Sequence, residues 1–403
     1  MAGINDLFKL MIEKDASDLH LSAGASPIMR VNGDMVPLEF PPLSSADVQN
    51  LVFSILPDKQ KKKFVENWEL DCSYNLEGVG RFRCNVFMQR RGLAAVFRQI
   101  PTEIKSLNDL GLPPILRSFT KFHRGLVLVT GPTGSGKSTT LAAMIHTINL
   151  TMSKHILTVE DPIEFVHENR TSLISQREVS SHTKSFKNAL KAALREDPDI
   201  ILVGEMRDLE TIELALTAAE TGHLVFGTLH TNSAPKTVDR IIDVFPEGAQ
   251  AQIRALLSES LQAVIAQQLF KRIDKKGRVA ALEILVNTPA IGNLIREGKT
   301  YQIPSAMQTG AAAGMQTFER SIDELIGDGK IAKETGDNFL GRKPKIKPAS
   351  KAIKSSAFNE NNDVKINTAS SGSSSFAKAK TNLEATNIFG GGFNKNKKTG
   401  SEE

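Results

Sequence analysis

Residues 131–138 read Gly131-Pro-Thr-Gly-Ser-Gly-Lys137-Ser138 and fit the pattern G-x-x-x-x-G-K-[ST] of a phosphate-binding loop. A short apolar run at residues 126–129 precedes the loop, and a helix-forming stretch at residues 139–145 follows it. A glycine-rich turn between a strand and a helix directs backbone N–H groups and the positive end of the helix dipole at one point. The sequence therefore predicts a nucleoside triphosphate site. The residues expected to contact the phosphates are Gly131, Pro132, Thr133, Gly134, Ser135, Gly136, Lys137, Ser138 and Thr139.

Two side chains of the loop have the chemistry that a triphosphate needs. Lys137 would reach the β- and γ-phosphates with its ammonium group, and the Ser138 hydroxyl would bind Mg²⁺. Hydrolysis also needs carboxylates that act on the magnesium and the attacking water. Residues 199–205 offer one, because an apolar strand leads through a glycine to Glu205, as in the Walker B arrangement. The alternative interpretation of Glu205 is a surface carboxylate on a loop.

Three more carboxylates, Glu160, Asp161 and Glu164, lie within five residues directly after a predicted strand. Acids this close repel one another unless a cation or a water network compensates them. They are therefore either a second part of the site or a solvated loop.

Two histidines, His223 and His230, bracket another predicted strand and are seven residues apart. A straight strand would place them on opposite faces, so we do not expect a shared metal site. One of them could sense a γ-phosphate, and the alternative is a histidine held by structural hydrogen bonds.

Length and composition limit the class of protein. A chain of 403 residues is long enough for two or three domains with cores of their own. No apolar run approaches the roughly 20 residues of a membrane-spanning helix, and the N-terminus lacks the basic and apolar regions of a secretory signal. Cys72 and Cys84 do not have metal-site spacing, and we expect reduced, partly buried thiols in a cytosolic protein.

Composition divides the chain into four regions. Residues 1–100 alternate short helical and strand-like runs and predict an α+β domain, and residues 101–114 predict a linker. In residues 115–342, strands first alternate with helices, as in a parallel α/β sheet, and a mostly helical part follows. Residues 343–403 are rich in Lys, Asn, Ser and Gly and predict a disordered basic tail. The strands predicted in the third region are residues 126–130, 155–159, 200–203 and 224–228.

The positive charge is concentrated in the predicted tail. The whole chain carries a net charge of +5, and the part after Arg342 holds 11 lysines and 5 acidic residues, a net charge of +6. Residues 1–342 therefore carry a net charge of −1 and lack the basic surface of a nucleic-acid-binding protein. We expect no nucleic-acid partner. The charge of the tail suits a peripheral association with an anionic membrane.

Several segments together resemble the secretion-type ATPases of type II secretion and type IV pili. Residues 16–24 match the N-terminal domain of that family, and four motifs then occur in the family's order. The resemblance covers about residues 1–340. The four motifs are the phosphate loop at residues 131–138, the Asp box at residues 160–164, the Walker B segment at residues 203–211 and the His box at residues 221–232.

The resemblance implies an α/β fold with a PAS-like α+β N-terminal domain and a RecA-like P-loop NTPase domain, assembled into a hexameric ring. It implies that Glu164 is the general base and that Glu205 acts on Mg²⁺ through water. It implies that His230 senses the γ-phosphate, with His223 as a second candidate. In this family, arginines of the N-terminal domain reach the phosphates of ATP. The candidates in this chain are Arg81, Arg83 and Arg98.

The resemblance also implies a cytoplasmic homohexameric motor at the inner face of the cytoplasmic membrane, which hydrolyses ATP to power pilus retraction. The implied partners are a pilus platform protein of the inner membrane and a second retraction ATPase.

Three alternatives remain open. An accessory retraction ATPase often has a C-terminal extension. An assembly ATPase of pili or type II secretion usually carries a four-cysteine zinc module, which two cysteines cannot supply. A ring that binds pilus-base proteins without turnover is opposed by the intact Lys137, Glu164 and Glu205.

One segment departs from the pattern of the retraction branch. The pattern Ala-Ile-Arg-Asn-Leu reads Ala-Ile-Gly-Asn-Leu at residues 290–294, so Gly292 stands where an arginine is usual. The resemblance associates this segment with retraction, and the loss of the cation bears on that part of the function. The tail after Arg342 has no counterpart in the common pattern.

Overall fold

The structure is a computed structural model and describes residues 3–31, 33–100 and 103–342. These residues belong to one compact unit that contains two β-sheets. The predicted tail at residues 343–403 lies outside the described residues, as do residues 101–102 of the predicted linker.

The first sheet is antiparallel throughout and has one apolar face. Helix α1 covers part of that face, because Ile4, Leu7, Phe8 and Met11 recur at helical spacing and are all buried. Phe8 stacks on Phe82 of the sheet with ring centroids 4.1 Å apart. The elements are α1 (Ile4–Glu13), β1 (Ala16–Ser22), β2 (Ile28–Val31), β3 (Asp34–Pro37), α2 (Ser45–Phe53), α3 (Asp58–Asn67), β4 (Glu69–Leu76), β5 (Gly80–Gln89) and β6 (Gly92–Ile100). Among the described residues the strand order is β3-β2-β1-β6-β5-β4.

The second sheet is built from strands that alternate with helices. Its first elements are α4 (Ile115–Phe119), β7 (Gly125–Thr130), α5 (Lys137–Thr151), β8 (His155–Glu160), β9 (Leu173–Glu178), α6 (Phe186–Ala193) and β10 (Ile200–Val203). They continue with α7 (Leu209–Glu220), β11 (Leu224–Leu229), α8 (Ala234–Asp243), α9 (Glu247–Ser260), β12 (Leu261–Lys271) and β13 (Arg278–Val286). The strand order in the described part is β13-β12-β7-β11-β10-β8-β9. Strands β7, β8, β10 and β11 confirm the four predicted strands.

The expectation of a parallel sheet is wrong at one edge. Strands β9, β8, β10, β11, β7 and β12 run parallel, whereas β13 is antiparallel to β12. The six residues between these last two strands explain the difference. A connection this short can join antiparallel strands, while a parallel pair needs a crossover of roughly a dozen residues or more.

The predicted helical end follows β13. It consists of α10 (Pro289–Arg296), α11 (Ile303–Thr309), α12 (Phe318–Gly327) and α13 (Lys333–Phe339).

Hydrophobic cores lie on both faces of the second sheet. One core packs α7, α8 and α9 against the strands, and the other packs α4 and α5 against the opposite face. Every residue of β7 is consequently buried, as expected for a strand in the middle of a covered parallel sheet. Because the carboxyl ends of parallel strands meet at one edge, the segments after β7, β8, β10 and β11 converge there.

Candidate functional site

The phosphate loop lies between β7 and α5, as the sequence predicted. Its backbone has a φ of 142° at Gly131 and of 89° at Gly136, a region that residues with a Cβ atom rarely adopt. A Cβ atom on Gly131 would lie 2.3 Å from the carbonyl oxygen of Gln267. Ser138 and Thr139 follow in the first turn of α5. The nine predicted residues thus form one continuous turn at the carboxyl edge of the sheet.

Gln267 of β12 supports this loop, and sequence patterns did not indicate it. Its side-chain amide donates to the Ser135 carbonyl oxygen at 2.6 Å and accepts from the Thr140 hydroxyl at 2.7 Å. Gln267 is 3% exposed, so both ends of a buried amide are satisfied by the loop and its helix. The available signal was the pair of glutamines at residues 267 and 268, which interrupts the apolar residues of β12.

Lys137 folds back over its own loop. Its Nζ donates to the carbonyl oxygens of Gly131 at 3.0 Å and Pro132 at 3.2 Å. Burial lowers the pKa of the Lys137 ammonium, and the negative charges of Glu205 and Glu164 oppose that shift. The structure therefore brings the two predicted carboxylates into the electrostatic environment of the predicted phosphate-binding cation.

Glu205 lies directly after β10 and is held by two neighbours. Its Oε1 is 2.5 Å from His230 Nε2, and Arg207 places Nε and Nη2 each 2.6 Å from a different carboxylate oxygen. Burial alone would raise the pKa of Glu205, but hydrogen bonds from Arg207 and His230 outweigh burial and lower it. Glu205 is therefore a carboxylate at neutral pH. His230 and Glu205 therefore belong to the same site. Arg207 is a further member of this site, and sequence patterns did not indicate it.

The acidic loop, residues 161–165, follows β8. The three carboxylates of this region, Glu160, Asp161 and Glu164, have different surroundings. Glu160 ends the strand and accepts hydrogen bonds from Thr158 Oγ1 at 2.7 Å and Gln176 Nε2 at 3.2 Å. Burial raises the pKa of Glu160. Glu164 is exposed, and its backbone N–H donates to Glu160 at 3.4 Å. Burial also raises the pKa of Asp161. Asp161 and Glu164 are thus the exposed members of the cluster, and Glu164 is the one whose charge acts on Lys137.

The structure does not bring His223 to this site. His223 precedes β11, at the amino end of the strand, and its Nδ1 lies 3.0 Å from the Ala218 carbonyl oxygen. His230 follows the same six-residue strand at its carboxyl end. A strand of that length separates the two histidines by about 20 Å.

Arg83 and Arg98 lie directly opposite each other on β5 and β6. Arg98 Nε donates to Asp18 Oδ1 at 2.8 Å, and Asp18 is 4% exposed. Arg83 is held less firmly, because its Nη2 lies 3.8 Å from the exposed Asp71 carboxylate. In the described part of the chain, both arginines form their ion pairs with acids of the first sheet and not with the phosphate loop.

Arg81, the third candidate, forms an ion pair with Glu178 of the second sheet. Its Nη2 donates to Glu178 Oε2 at 2.8 Å, across the boundary between the first and the second sheet. Its Nε is buried without a hydrogen-bond partner among the described residues.

A cleft of about 490 Å³ lies between the first sheet and the acidic loop. Arg83 and Asp71 line it from the first sheet, and Asp161 and Arg207 line it from the second. None of residues 131–139, all of which the structure describes, lines this cleft. The cleft is thus next to the Glu205 environment but is not the phosphate loop itself.

Gly292 lies in α10 and is buried against α9. A Cβ atom there would be 3.1 Å from the Ser258 carbonyl oxygen, which also accepts a hydrogen bond from Asn287 at 2.9 Å. A side chain at this position would require the Ser258 carbonyl to give way by a few tenths of an ångström. The departure from the family pattern therefore coincides with a close approach of two helices.

Cys72 and Cys84 are free thiols, and both are fully buried. In the described parts of the chain, no helix is both long and apolar enough to pass through a bilayer. Within those same ranges, no three His, Cys, Asp or Glu side chains are grouped as a metal site.

A glycine-rich loop between a central parallel strand and a helix, with a carboxylate and a histidine at the same edge, defines a P-loop nucleotide-binding protein. The family model described as "Type II/IV secretion system protein" matches residues 2–312. The chain belongs to this family.

Known relatives place the chain more closely. It is 56% identical to the type IV pilus retraction ATPase PilT of Pseudomonas aeruginosa over 331 residues, which are 82% of this chain and 96% of that protein. It is 59% identical to a twitching motility protein of Neisseria gonorrhoeae, over 77% of this chain and 83% of the relative. The crystal structure of the pilus retraction motor PilT with bound ADP has a TM-score of 0.79 and 49% identity, and the match covers 86% of this chain and 98% of that one.

Proposed function

We propose that this chain is an ATPase that powers the retraction of type IV pili. The observation that carries the proposal is the grouping of Lys137, Glu164 and Glu205 at the phosphate loop, with His230 on Glu205. A cation for the phosphates and two separate carboxylates are what triphosphate hydrolysis requires. The similarity to pilus retraction ATPases supplies the biological process.

The proposal divides the chain into a PAS-like domain at residues 1–100, a linker at residues 101–114 and a RecA-like ATPase domain at residues 115–342. The fourth region of this proposed division is the basic tail at residues 343–403. Two sheets of different construction support the division, because one is wholly antiparallel and the other carries a phosphate loop between a parallel strand and a helix.

Glu164 is the proposed general base. Its side chain is exposed and its negative charge acts on Lys137, whereas the neighbouring Glu160 is engaged with Thr158 and Gln176. A base must reach a water molecule near the γ-phosphate, and a side chain free of structural hydrogen bonds can do so. Lys137 would exchange its two backbone carbonyl partners for phosphate oxygens when ATP binds.

Ser138 and Glu205 are the proposed ligands of Mg²⁺. A hydroxyl and a carboxylate are the oxygen ligands that Mg²⁺ prefers, and this ion keeps several waters and phosphate oxygens in its shell. The absence of a cluster of three acidic or histidine side chains in the described residues fits such a sparse protein contribution. When bound, Mg²⁺ would neutralise charge on the phosphates. His230 would sense the γ-phosphate through its contact with Glu205.

A homohexameric ring is the proposed assembly, and Arg83 and Arg98 are its proposed phosphate-reaching arginines. Both lie on the first sheet and not in the phosphate loop, so a neighbouring domain must approach for them to meet a nucleotide. Arginine suits this task because it is always charged and can bind phosphate with two N–H groups.

The proposed location is the cytoplasm, at the inner face of the cytoplasmic membrane. The proposed partners there are an inner-membrane platform protein and a second retraction ATPase.

Imaging of pili in cells that lack this chain tests the proposed process. An excess of pili that do not retract supports a retraction motor, and bald cells would show an assembly ATPase instead. A normal pilus number with weakened retraction would show an accessory retraction ATPase. ATP hydrolysis by the purified chain, and its mass with nucleotide in light scattering, test the motor and the ring separately.

A further inference from the structure

Glu178 occupies an unusual place between the two sheets. It ends β9, at the edge of the second sheet, yet its side chain is only 4% exposed. Its carboxylate accepts hydrogen bonds from donors that lie on both sides of the boundary. From the first sheet these are Arg81 Nη2 at 2.8 Å and Ser73 Oγ at 3.2 Å. From the second sheet they are Ile163 N at 3.1 Å and Ser181 Oγ at 2.9 Å.

These four donors compensate a charge that burial would otherwise make costly. A buried carboxylate persists only when its oxygens are hydrogen-bonded and its charge is paired. Arg81 supplies the opposite charge, and its Nη2 also donates to Ser73 at 2.8 Å. The Arg81–Glu178 contact between the two sheets is therefore a buried ion pair in which both carboxylate oxygens accept hydrogen bonds, unlike the ordinary exposed ion pairs of the surface.

One of the four donors belongs to the acidic loop. Ile163 immediately precedes Glu164, so the hydrogen bond from its backbone N–H to Glu178 Oε2 fixes the chain one residue before the proposed base. On the other side, the Glu164 N–H reaches Glu160, and the Val179 N–H donates to the Glu160 carbonyl oxygen at 2.9 Å. The position of the segment that carries the proposed base Glu164 therefore depends on the position of the Glu178 carboxylate.

We infer that Glu178 is a positioning residue that couples strands β4 and β5 of the first sheet to the proposed base Glu164. Arg81 and Ser73 fix the carboxylate, and the carboxylate fixes Ile163. If the first sheet moves and Arg81 is drawn away, Glu178 loses its counter-charge. The acidic loop then moves, because Glu178 no longer fixes Ile163. The inference rests on the proposed ATPase activity and assigns Arg81 to this link, leaving Arg83 and Arg98 for the phosphates.

The test compares Glu178→Gln with the parent full-length chain. Glutamine keeps the shape but removes the negative charge that pairs with Arg81. Its amide nitrogen can replace Oε1 only if the Ser73 and Ser181 hydroxyls rotate to accept, because Arg81 and the Ile163 N–H can only donate to Oε2. We expect kcat for ATP to fall about 10-fold or more, because small misplacements of reacting groups have effects of that order. We expect KM and the dissociation constant of a fluorescent ATP analogue to stay within about twofold, because the phosphate loop is untouched.

A second variant makes the test independent of how Glu178→Gln folds. Arg81→Gln removes the charged first-sheet partner of Glu178 and leaves Ser73, Ile163 and Glu178 in place. It should show the same loss of kcat at nearly constant KM. The double variant should be no slower than the slower single variant, because two residues that act through one contact are not additive.

Glu196→Gln is the matched control. It makes the same carboxylate-to-amide change in an exposed ion pair with Arg177, the neighbour of Glu178 on β9, at 2.9 Å. It should leave kcat and KM unchanged. Parent-like kcat in both Glu178→Gln and Arg81→Gln overturns the inference, and so does a multiplicative loss in the double variant. An inactive parent chain would contradict the proposed ATPase itself and is thereby distinguished from a failure of the link.

Discussion

Arg83 and Arg98 are direct cross-strand partners, so two guanidinium groups stand side by side on one face of the first sheet. Like charges in this position are destabilising. Asp18, the cross-strand partner of Arg98 on the opposite side, compensates one of the two charges. The arrangement leaves Arg83 with the weaker partner and makes it the arginine more readily available to an incoming phosphate.

Arg83→Gln and Arg98→Gln should both lower ATP turnover but should differ in stability. Arg98→Gln leaves the Asp18 carboxylate buried without its charged donor, which we expect to lower the free energy of unfolding by about 1–3 kcal/mol. Arg83→Gln breaks a long ion pair with an exposed acid, and we expect a change below about 0.5 kcal/mol. Urea unfolding of both variants checks this. Equal stabilities would show that Asp18 does not depend on Arg98.

Lys137→Ala should abolish turnover and weaken ATP binding, because it removes the cation that faces the phosphates. Pro132 is exposed and the Gly131 carbonyl oxygen loses a single donor, so the fold should persist. Circular dichroism and a steady-state ATPase assay together separate lost chemistry from lost structure. Substantial hydrolysis by a folded Lys137→Ala protein would remove this lysine from the site.

Glu164→Gln should leave ATP binding nearly intact and slow hydrolysis by about 10²-fold or more, as expected for the loss of a general base. Single-turnover kinetics with saturating protein measures the chemical step directly. Glu160→Gln is the informative comparison, because Glu160 is engaged with Thr158 and Gln176. Hydrolysis at the parent rate in Glu164→Gln would transfer the role of base to another group.

Gln267→Leu should raise the dissociation constant for ATP by about 10-fold. The change leaves the Thr140 hydroxyl and the Ser135 carbonyl oxygen without their partner, and an unsatisfied buried group costs about 1–3 kcal/mol. Titration with a fluorescent ATP analogue measures the binding, and Gln268→Leu is the neighbouring control on β12. Unchanged affinity would mean that the loop keeps its shape without Gln267.

His167 should make stability depend on pH below neutrality. Burial lowers the pKa of His167 from 6.5 to about 4, and the nearby His146 acts in the same direction. The unfolded chain therefore takes up a proton at a higher pH than the folded chain. The contribution of neutral His167 to the free energy of unfolding is fully present above pH 6.5. It is lost as the pH falls towards 4, and the loss is on the order of 3 kcal/mol.

His167→Gln should flatten this part of the pH profile. The measurement is the free energy of unfolding in urea at several pH values between 4 and 7. A variant that loses stability with the same slope as the parent would assign the effect to other groups.

Local patterns predicted the parts of the site that are continuous in the chain. The spacing of residues 131–138 gave the phosphate loop, and the strand-then-acid order indicated Glu205. Gln267 and the Arg81–Glu178 pair were beyond reach of such patterns. Their contacts join residues 132 and 97 positions apart, so only the packing of distant strands creates them. The direction of β13 was missed for a related reason, because the length of a short connection decides it after the strands are known.

The support of the phosphate loop by Gln267 has a consequence for synthesis of the chain. Gln267 enters the growing polypeptide 132 residues after Ser135, which at bacterial and eukaryotic rates of roughly 5–20 residues per second is a delay on the order of 10 s. During that interval β7 also lacks β12, its parallel neighbour on one side. A ribosome-bound fragment that ends before β12 thus carries the whole phosphate-loop sequence without the strand that shapes it. We therefore expect the chain to gain its capacity to bind nucleotide only after β12 has been synthesised.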